Sequence, residues 1–208
     1  PRSTVSRVPR KPAPGPHPLP PSDLPSRELP IVTAAGPWFR LHRAGRDPLH
    51  FGRSATFRFD DPQGRFGVLY VGEDPYCAFI ETFGRGPNAA GVVTLAALAE
   101  RELARVDASR PLRLVVLTGP GLARLGADGR LCSGDYAIAQ VWARALWAHP
   151  SQPDGIRYRS RHDPSRACAA IFDRAAPCLH ATCLPGLADP ANRALLAAIL
   201  DAYGFGLI

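Results

Sequence analysis

Apolar and polar residues alternate in several short stretches of the chain, a pattern that is typical of β-strands with one buried face. In residues 38–43, for example, a two-residue period places Arg40 and His42 on the face opposite Leu41. The same criterion predicts strands at residues 38–43, 57–59, 66–71, 103–106, 112–117, 155–160 and 167–172. These strands are short, and turn residues separate them.

Helical signals occur in three other segments. Asp74 and Pro75 form an N-cap and a first-turn proline, and large apolar residues follow them at helical spacing. Helices are predicted at residues 75–84, 134–149 and 190–203. Residues 95–103 fit either a helix or a strand. Because strands outnumber helices and the order is mixed, the pattern indicates a single α+β domain and not a doubly wound sheet.

The first thirty residues differ in composition from the rest of the chain. They contain ten prolines and few large apolar residues. Such a composition buries too little surface to offset the entropy of ordering, so we expect residues 1–30 to be an extended or disordered arm. The remaining residues, 31–208, are long enough for one ordinary hydrophobic core and are predicted to be a single domain.

Neither a membrane span nor a secretion signal is expected, because the sequence has no apolar run of about 18 residues and its N-terminal region is rich in proline and arginine. We therefore expect a cytoplasmic protein without a membrane partner. In that compartment, its five cysteines should be reduced. Cys178, His180 and Cys183 lie close together, but they lack the paired spacing of a structural zinc site. No metal is predicted.

The charge of the chain is clearly basic, with a formal net charge of +7 and a pI near 9.7. Nearly all of the basic residues are arginines, since Lys11 is the only lysine, and they are scattered instead of forming one stripe. The sequence also lacks a recognisable helix-turn-helix or an aromatic RNA-binding platform. A direct nucleic-acid partner is therefore disfavoured.

Common catalytic and nucleotide-binding motifs are absent from the sequence. There is no Gly-x4-Gly-Lys-Ser/Thr phosphate loop, no Gly-x-Gly-x-x-Gly after a strand, no His-Glu-x-x-His and no Gly-x-Ser-x-Gly. By elimination, any nucleotide chemistry must use scattered arginines. Arg40 and Arg58 each lie opposite large apolar neighbours on a predicted strand, where a guanidinium could clamp a pyrophosphate or could simply be solvated.

Two further side chains have alternative interpretations. Tyr70 closes an apolar strand, so it is either a core residue with a satisfied hydroxyl or a ring that stacks on a flat heterocycle. In the helix that begins at Pro75, Glu81 falls opposite the apolar stripe and beside the small residues Cys77 and Ala78. Its carboxylate therefore faces either solvent or a cleft floored by small side chains, and periodicity does not separate these cases.

Four motifs in this order resemble those of the RES domain, the toxin half of bacterial RES–Xre toxin–antitoxin pairs. They are Arg-Phe-Asp-Asp-Pro at residues 58–62, Leu-Tyr at 69–70, Glu81, and Tyr-Arg-Ser-Arg at 158–161. The resemblance covers roughly residues 38–173. It implies a fold similar to that of diphtheria-toxin-type ADP-ribosyltransferases, with facing sheets around an NAD cleft. Asp60 stands where many RES sequences have an amide, and a carboxylate near a pyrophosphate should repel it.

The resemblance also implies an activity. RES proteins consume NAD by hydrolysis or phosphorolysis of the nicotinamide–ribose bond, or transfer ADP-ribose to a protein, and an Xre-type antitoxin neutralises them. Carried over to this chain, the catalytic residues would be Glu81, Arg58 and Tyr70, and the NAD-binding residues Arg40, Arg58, Tyr70, Ser160, Tyr136 and Gln140. Tyr136 and Gln140 have helix capping and amide packing as alternative roles. His42 is a candidate from its position instead, because it shares a predicted strand face with Arg40 and could contact the adenosine half, or could simply be a surface histidine. Ser160 would donate a hydrogen bond to a phosphate or to the ribose. The alternative is a mono-ADP-ribosyltransferase with a protein acceptor, and a homodimer is possible.

Nicotinamide leaves as a neutral group, so its departure needs no general acid. One carboxylate is then enough to stabilise the oxocarbenium-like ribose and to bind its hydroxyls. A single Glu81 without a paired acid fits this chemistry. Ser160 has no evident activating base in the sequence, which argues against a serine hydrolase.

Overall fold

A computed structural model describes residues 15–85 and 91–208. The strands are β1 (Ile31–Ala34), β2 (Trp38–Arg43), β3 (Val68–Gly72), β4 (Val92–Val93), β5 (Arg101–Ala108), β6 (Leu112–Val116), β7 (Gly155–Arg159), β8 (Ala167–Phe172), β9 (Leu179–Leu184) and β10 (Gly206–Leu207). The helices are α1 (Pro75–Phe83), α2 (Leu95–Ala99), α3 (Pro120–Leu125), α4 (Arg130–Ser133), α5 (Tyr136–Trp147) and α6 (Arg193–Tyr203). The predicted single α+β domain is confirmed.

Eight strands form one mixed sheet in the order β1-β6-β7-β8-β3-β2-β5-β9, and β10 pairs with β4 in a second, two-stranded sheet. Within the large sheet, β6 and β7 are parallel, and the other neighbours are antiparallel. The pairing between β2 and β3 is reduced to one residue pair, Phe39 with Gly72. This junction, which we call the seam, divides the large sheet into two halves.

Helix α1 packs where the two halves meet. The Asp74 carboxylate accepts a hydrogen bond from the backbone N–H of Cys77 at 2.8 Å and so caps the first turn. Phe79 and Phe83 are buried in the core that β2, β5 and α6 share with α1. Gly72 allows this close packing, because a Cβ there would lie 2.7 Å from Cys77 Cβ.

Helix α5 is the other large element against the sheet. Its apolar face, which includes Trp142 and Leu146, is buried in a second core with residues of β6, β7 and β8. The carboxylate of Asp135 accepts a hydrogen bond from Ala137 N at 2.9 Å, so Asp135 is the N-cap of this helix.

The strand predicted at residues 57–59 is wrong, because this segment forms turns. The Asp60 carboxylate accepts hydrogen bonds from Thr56 N (3.1 Å) and Phe57 N (3.0 Å), and Asp60 N donates to Phe57 O at 3.2 Å. These local bonds compete with extended backbone. The strand pattern also predicted that the rings of Phe57 and Phe59 share one face, but Phe59 is buried and Phe57 is exposed. The ambiguous residues 95–103 comprise the short helix α2 and the start of β5.

Residues 15–30 run along the domain and contact its core, and residues 1–14 of the predicted arm lie outside the described residues. Leu24 and Leu29 are buried against α5 and its neighbours, although we expected this arm to bury little surface. Trp142 Nε1 donates a hydrogen bond to Pro18 O at 2.9 Å. None of the helices in the described part of the chain is long and apolar enough to cross a membrane.

Candidate active site

A cleft of about 980 Å³ lies at the seam between β2 and β3. It is lined by residues of both strands, by α1, by the loop around residue 58, by the start of α5 and by the loop after β7. The lining includes seven arginines and two carboxylates: Arg40, Arg43, Arg46, Arg58, Arg85, Arg101, Arg161, Asp47 and Glu81. Because the positive charges outnumber the negative ones, the cleft favours an anionic ligand.

Arg58 is the most buried arginine of the cleft, with only 7% of its surface exposed. Its Nη1 donates to Gly134 O at 2.9 Å, and its guanidinium carbon lies 4.5 Å from the centre of the Tyr136 ring. Its buried Nη2 has no hydrogen-bond partner within residues 15–85 and 91–208. A buried guanidinium donor without a partner is costly, so this atom favours an anionic ligand in the cleft.

The loop that carries Arg58 is held by one face of α5. Tyr136, Gln140 and Arg144 are spaced four residues apart, which places them in a row along the helix. Gln140 Nε2 donates to the carbonyl oxygens of Ala55 (3.0 Å) and Phe57 (3.1 Å). Gln140 was predicted to bind NAD, but the structure directs its amide at the loop backbone, and Gln140 does not line the cleft.

Arg144 completes this row through an ion pair with Asp61. Its Nε and Nη2 donate to Asp61 Oδ1 at 2.9 and 2.7 Å, and Arg65 N donates to Asp61 Oδ2 at 2.7 Å. Burial by itself would raise the pKa of Asp61, but the hydrogen bonds from Arg65 N and Arg144 and the charges of both arginines outweigh it, so the pKa is lowered. Asp61 therefore stays ionised and anchors the loop.

Tyr70 lines the cleft with its ring, whereas its hydroxyl points into the loop. The hydroxyl donates to Asp60 Oδ1 at 2.9 Å and accepts from Phe59 N at 2.9 Å. Burial, and then the Asp60 charge, raise the pKa of Tyr70 well above its usual value. Asp60 is fully buried, and its carboxylate accepts hydrogen bonds from the Tyr70 hydroxyl and from Thr56 N and Phe57 N. Burial raises the pKa of Asp60. The concern that Asp60 repels a pyrophosphate does not apply, because it does not line the cleft.

Glu81 lines the cleft on the outward face of α1, next to the small residue Ala78. Its side chain is 26% exposed, so it does not extend into open solvent. Ser160 Oγ donates to Glu81 Oε1 at 2.6 Å, and Arg85 Nη2 lies 3.9 Å from Glu81 Oε2. Of the two orientations that periodicity allowed, the structure has the one facing the cleft.

Ser160 follows β7 and is buried behind Glu81. Besides donating to Glu81, its hydroxyl accepts hydrogen bonds from His162 N (3.1 Å) and Asp163 N (3.0 Å). Ser160 was predicted to donate to a phosphate or to the ribose, but in the structure its single hydroxyl proton is directed at the Glu81 carboxylate. Ser160 thus orients Glu81.

Arg40 and His42 lie in the wall that β2 contributes. Arg40 Nη1 donates to His50 O at 3.1 Å, and burial lowers the pKa of Arg40 to about 10, although Asp47 acts in the opposite direction. His42 is only 3% exposed, and its Nε2 lies 3.9 Å from Glu102 Oε2. Arg40 and Arg58 thus line the same cleft, as a clamp of both guanidinium groups on one pyrophosphate would require.

Several residues of the cleft were not predicted from the sequence, including His162, Tyr158 and Arg85. Tyr158 and His162 flank the predicted Ser160, so the Tyr-Arg-Ser-Arg motif carried a signal for them. Arg85 is one helical turn after Glu81, a spacing at which side chains of opposite charge interact. In the described ranges, no group of three or more His, Cys, Asp or Glu residues could hold a metal ion.

The α+β domain thus has an arginine-rich cleft at the seam of its sheet, with Glu81 in one wall. The charge of this cleft favours an anionic ligand. Residues 37–194 match the model of the RES domain, and the chain belongs to this family.

Two similar proteins extend this assignment. The chain is 33% identical over 117 residues to the Probable toxin y4kH of Sinorhizobium fredii (strain NBRC 101917 / NGR234), a match that covers 56% of this chain and 90% of the relative. The fold is similar to that of a chain in the crystal structure of the M. tuberculosis MbcT-MbcA toxin-antitoxin complex. That similarity has a TM-score of 0.60 at 18% identity and covers 82% of this chain and 92% of the other.

Proposed function

We propose that this protein is the toxin of a toxin–antitoxin pair and that it binds NAD and cleaves its nicotinamide–ribose bond. Its family, the relative named as a probable toxin and the fold shared with a toxin–antitoxin complex support the first part. Two groups that line one cleft support the second part. One is Glu81, which Ser160 orients, and the other is the buried Nη2 of Arg58, which has no hydrogen-bond partner among the described residues.

The size and charge of the cleft fit a dinucleotide. A volume of about 980 Å³ is at the upper end of ordinary ligand pockets. The two phosphates of NAD would be bound by Arg58 and Arg40, whose guanidinium groups suit bidentate contact with phosphate oxygens. The apolar rings of Phe57 and Tyr70, whose centres are 5.6 Å apart, provide surfaces for a heterocycle.

Glu81 would act on the ribose that carries nicotinamide. As the glycosidic bond lengthens, positive charge develops on the ribose, and a fixed carboxylate beside it lowers the energy of this state. The hydrogen bond from Ser160 keeps the carboxylate in place before the reaction, so no reorganisation is needed during bond cleavage. The bonding electrons return to the pyridinium ring, and nicotinamide leaves as a neutral molecule.

The partner that we propose is an antitoxin that neutralises the toxin, a proposal supported by the fold shared with a chain of a toxin–antitoxin complex. We propose the Xre family for this antitoxin from the RES–Xre pairing of the family alone. The acceptor of ADP-ribose would be water or phosphate, and NAD depletion would arrest growth. A protein acceptor is the alternative, and NAD labelled in its adenosine half separates the two. Label in free ADP-ribose or its phosphate supports the proposal, whereas label on a protein supports the alternative.

The test is NAD content in bacteria that express the chain, together with nicotinamide release by the purified protein. Glu81→Gln and Arg58→Ala should each abolish both. Matched controls are Glu100→Gln and Arg124→Ala, which change exposed residues that do not line the cleft. Full NAD depletion in Glu81→Gln and Arg58→Ala would refute the assignment of these residues, and an inactive wild-type protein would refute the proposed activity.

A further inference from the structure

His162 is joined to Glu81 through one hydroxyl group. The backbone N–H of His162 donates to Ser160 Oγ at 3.1 Å, and the same oxygen donates its proton to Glu81 Oε1 at 2.6 Å. The loop after β7 therefore holds the backbone of His162 and the carboxylate in a fixed relation.

The imidazole of His162 lies against the end of α1. A Cβ at Gly84 would be 3.2 Å from His162 Cγ, so the ring packs directly on this glycine. Gly84 follows Glu81 by three residues, and positions with this spacing share a helix face. The ring is half-buried and lines the cleft, as does Glu81. In the part of the chain that the structure describes, His162 makes one hydrogen bond, from its backbone N–H to Ser160 Oγ, and its imidazole makes none.

Hydrolysis of NAD requires a group that accepts a proton. A bond forms between water oxygen and C1′ of the ribose, and the bond between C1′ and the nicotinamide nitrogen breaks with its electrons passing to the pyridinium ring. The products are neutral nicotinamide and ADP-ribose, and one proton of the water must be removed. Glu81 is engaged by Ser160 and, in the proposed function, by the ribose, so it is poorly placed to take this proton.

We propose that His162 is the general base for this hydrolysis and accepts the proton of the attacking water on an imidazole nitrogen. The inference rests on the proposed function and adds a catalytic residue to it. The ring and Glu81 line the same cleft, and the ring packs on Gly84, one helical turn after Glu81, so we infer that it lies near the ribose that Glu81 would contact. An imidazole within reach of the water is the commonest arrangement for general base catalysis.

The surroundings keep this imidazole neutral at physiological pH. Burial lowers the pKa of His162; the Glu81 carboxylate acts in the opposite direction, and Arg85 and Arg161 lower it further. Glu81 lies on α1, Arg85 lies in the segment after α1, and Arg161 lies in the same loop as His162. Arg85 Nε also donates to Glu81 O at 2.8 Å, which offsets the negative end of the helix near the ring.

A base is needed for water but not for every nucleophile. The dianion of inorganic phosphate can attack C1′ through an oxygen that carries no proton. Loss of His162 should therefore impair hydrolysis strongly and phosphorolysis little. A residue that only supported the fold would impair both alike, so the ratio of the two reactions identifies the role.

The experiment measures nicotinamide release by the full chain with NAD alone and with NAD plus inorganic phosphate. His162→Gln should lower kcat for hydrolysis by about 100-fold or more, within the range of general base catalysis, and leave KM almost unchanged. The acid limb of the kcat profile, which rises with pH as the wild-type imidazole loses its proton, should disappear. Phosphate should restore release in the variant. The control is His180→Gln, which changes an exposed histidine outside the cleft.

A second variant protects the test against misfolding. His162→Ala should regain hydrolysis when free imidazole is added, and both variants should keep the wild-type unfolding temperature. Wild-type kcat and an intact acid limb in His162→Gln would overturn the inference and leave the proposed function standing. Loss of activity in both variants without rescue by phosphate or imidazole would also overturn it. If the wild-type chain released no nicotinamide, both proposals would fall.

Discussion

Ser160 Oγ lies 2.6 Å from Glu81 Oε1, although the two residues are 79 positions apart in the chain. The hydroxyl is held in turn by the backbone N–H groups of His162 and Asp163. The carboxylate of α1 is thus oriented by a loop from the far half of the chain. Residues that act in this way matter for catalysis without touching the substrate.

Ser160→Ala should therefore impair turnover more than binding. Without its hydrogen bond, the carboxylate can rotate away from the ribose, and a displacement of about 1 Å costs about 100-fold in rate. We expect kcat for nicotinamide release to fall by about this factor and KM to change little. Ser109→Ala, at an exposed serine outside the cleft, is the control. A Ser160→Ala protein with wild-type kcat would show that Glu81 needs no such support.

The ion pair between Asp61 and Arg144 should stabilise the loop that presents Arg58. Arg144→Met leaves the fully buried Asp61 carboxylate without its main partner, which should lower the free energy of unfolding by about 3 kcal/mol. Urea denaturation measures this change. The double variant Asp61→Asn with Arg144→Met should lose less than the sum of the single changes. Additive losses would mean that the two side chains are not coupled.

Asp154 should make the stability of the domain depend on acid pH. Arg110 donates to both carboxylate oxygens at 2.8 Å, and Arg113 N donates to Oδ2 at 2.8 Å. Burial by itself would raise the pKa of Asp154, but these hydrogen bonds and the charges of both arginines outweigh it, and the pKa is lowered. A lowered folded-state pKa means stabilisation that is present above the unfolded-state pKa of about 3.9 and is lost as pH falls below it.

Asp154→Asn should consequently lower the free energy of unfolding at pH 7. The difference from wild type should become smaller as the pH falls below about 4. Urea denaturation at a series of pH values measures the difference from wild type. Asp201→Asn, at an exposed position, should change stability little at any pH. A difference that stayed constant down to pH 3 would contradict the linkage.

Leu24 should contribute to the core even though it belongs to the proline-rich segment. It is 2% exposed, and Leu24→Ala removes a buried side chain next to α5, so we expect a loss of about 2–3 kcal/mol in the free energy of unfolding. Leu19→Ala, in the same segment but 58% exposed, is the matched control and should be nearly neutral. Equal effects of the two changes would argue that the segment does not pack on the domain.

Much of the architecture could be predicted from local patterns. The helix that begins at Pro75 has its cap and its apolar stripe within one segment of sequence, and so has α5. The Asp189 cap predicted for the last helix instead begins a 3-10 turn, Pro190–Asn192, that leads into α6. Segments governed by local polar bonds were harder to predict. Residues 57–59 alternate like a strand, but hydrogen bonds to the Asp60 carboxylate hold them in a turn. Leu24 is buried, although the prolines around it gave no sign of this in the sequence.

The sequence alone determined which residue types were available: one carboxylate on the outward face of α1, arginines in place of a phosphate loop, and the motif around Ser160. Tertiary structure decided what each of them contacts. The direction of Glu81 depends on Ser160, and Gln140 supports the Arg58 loop instead of lining the cleft. The packing of that loop against α5 leaves Arg58 Nη2 without a hydrogen-bond partner in the described part of the chain. Periodicity records which face of an element is apolar, but contacts between residues distant in sequence arise only when the sheet and helices are assembled.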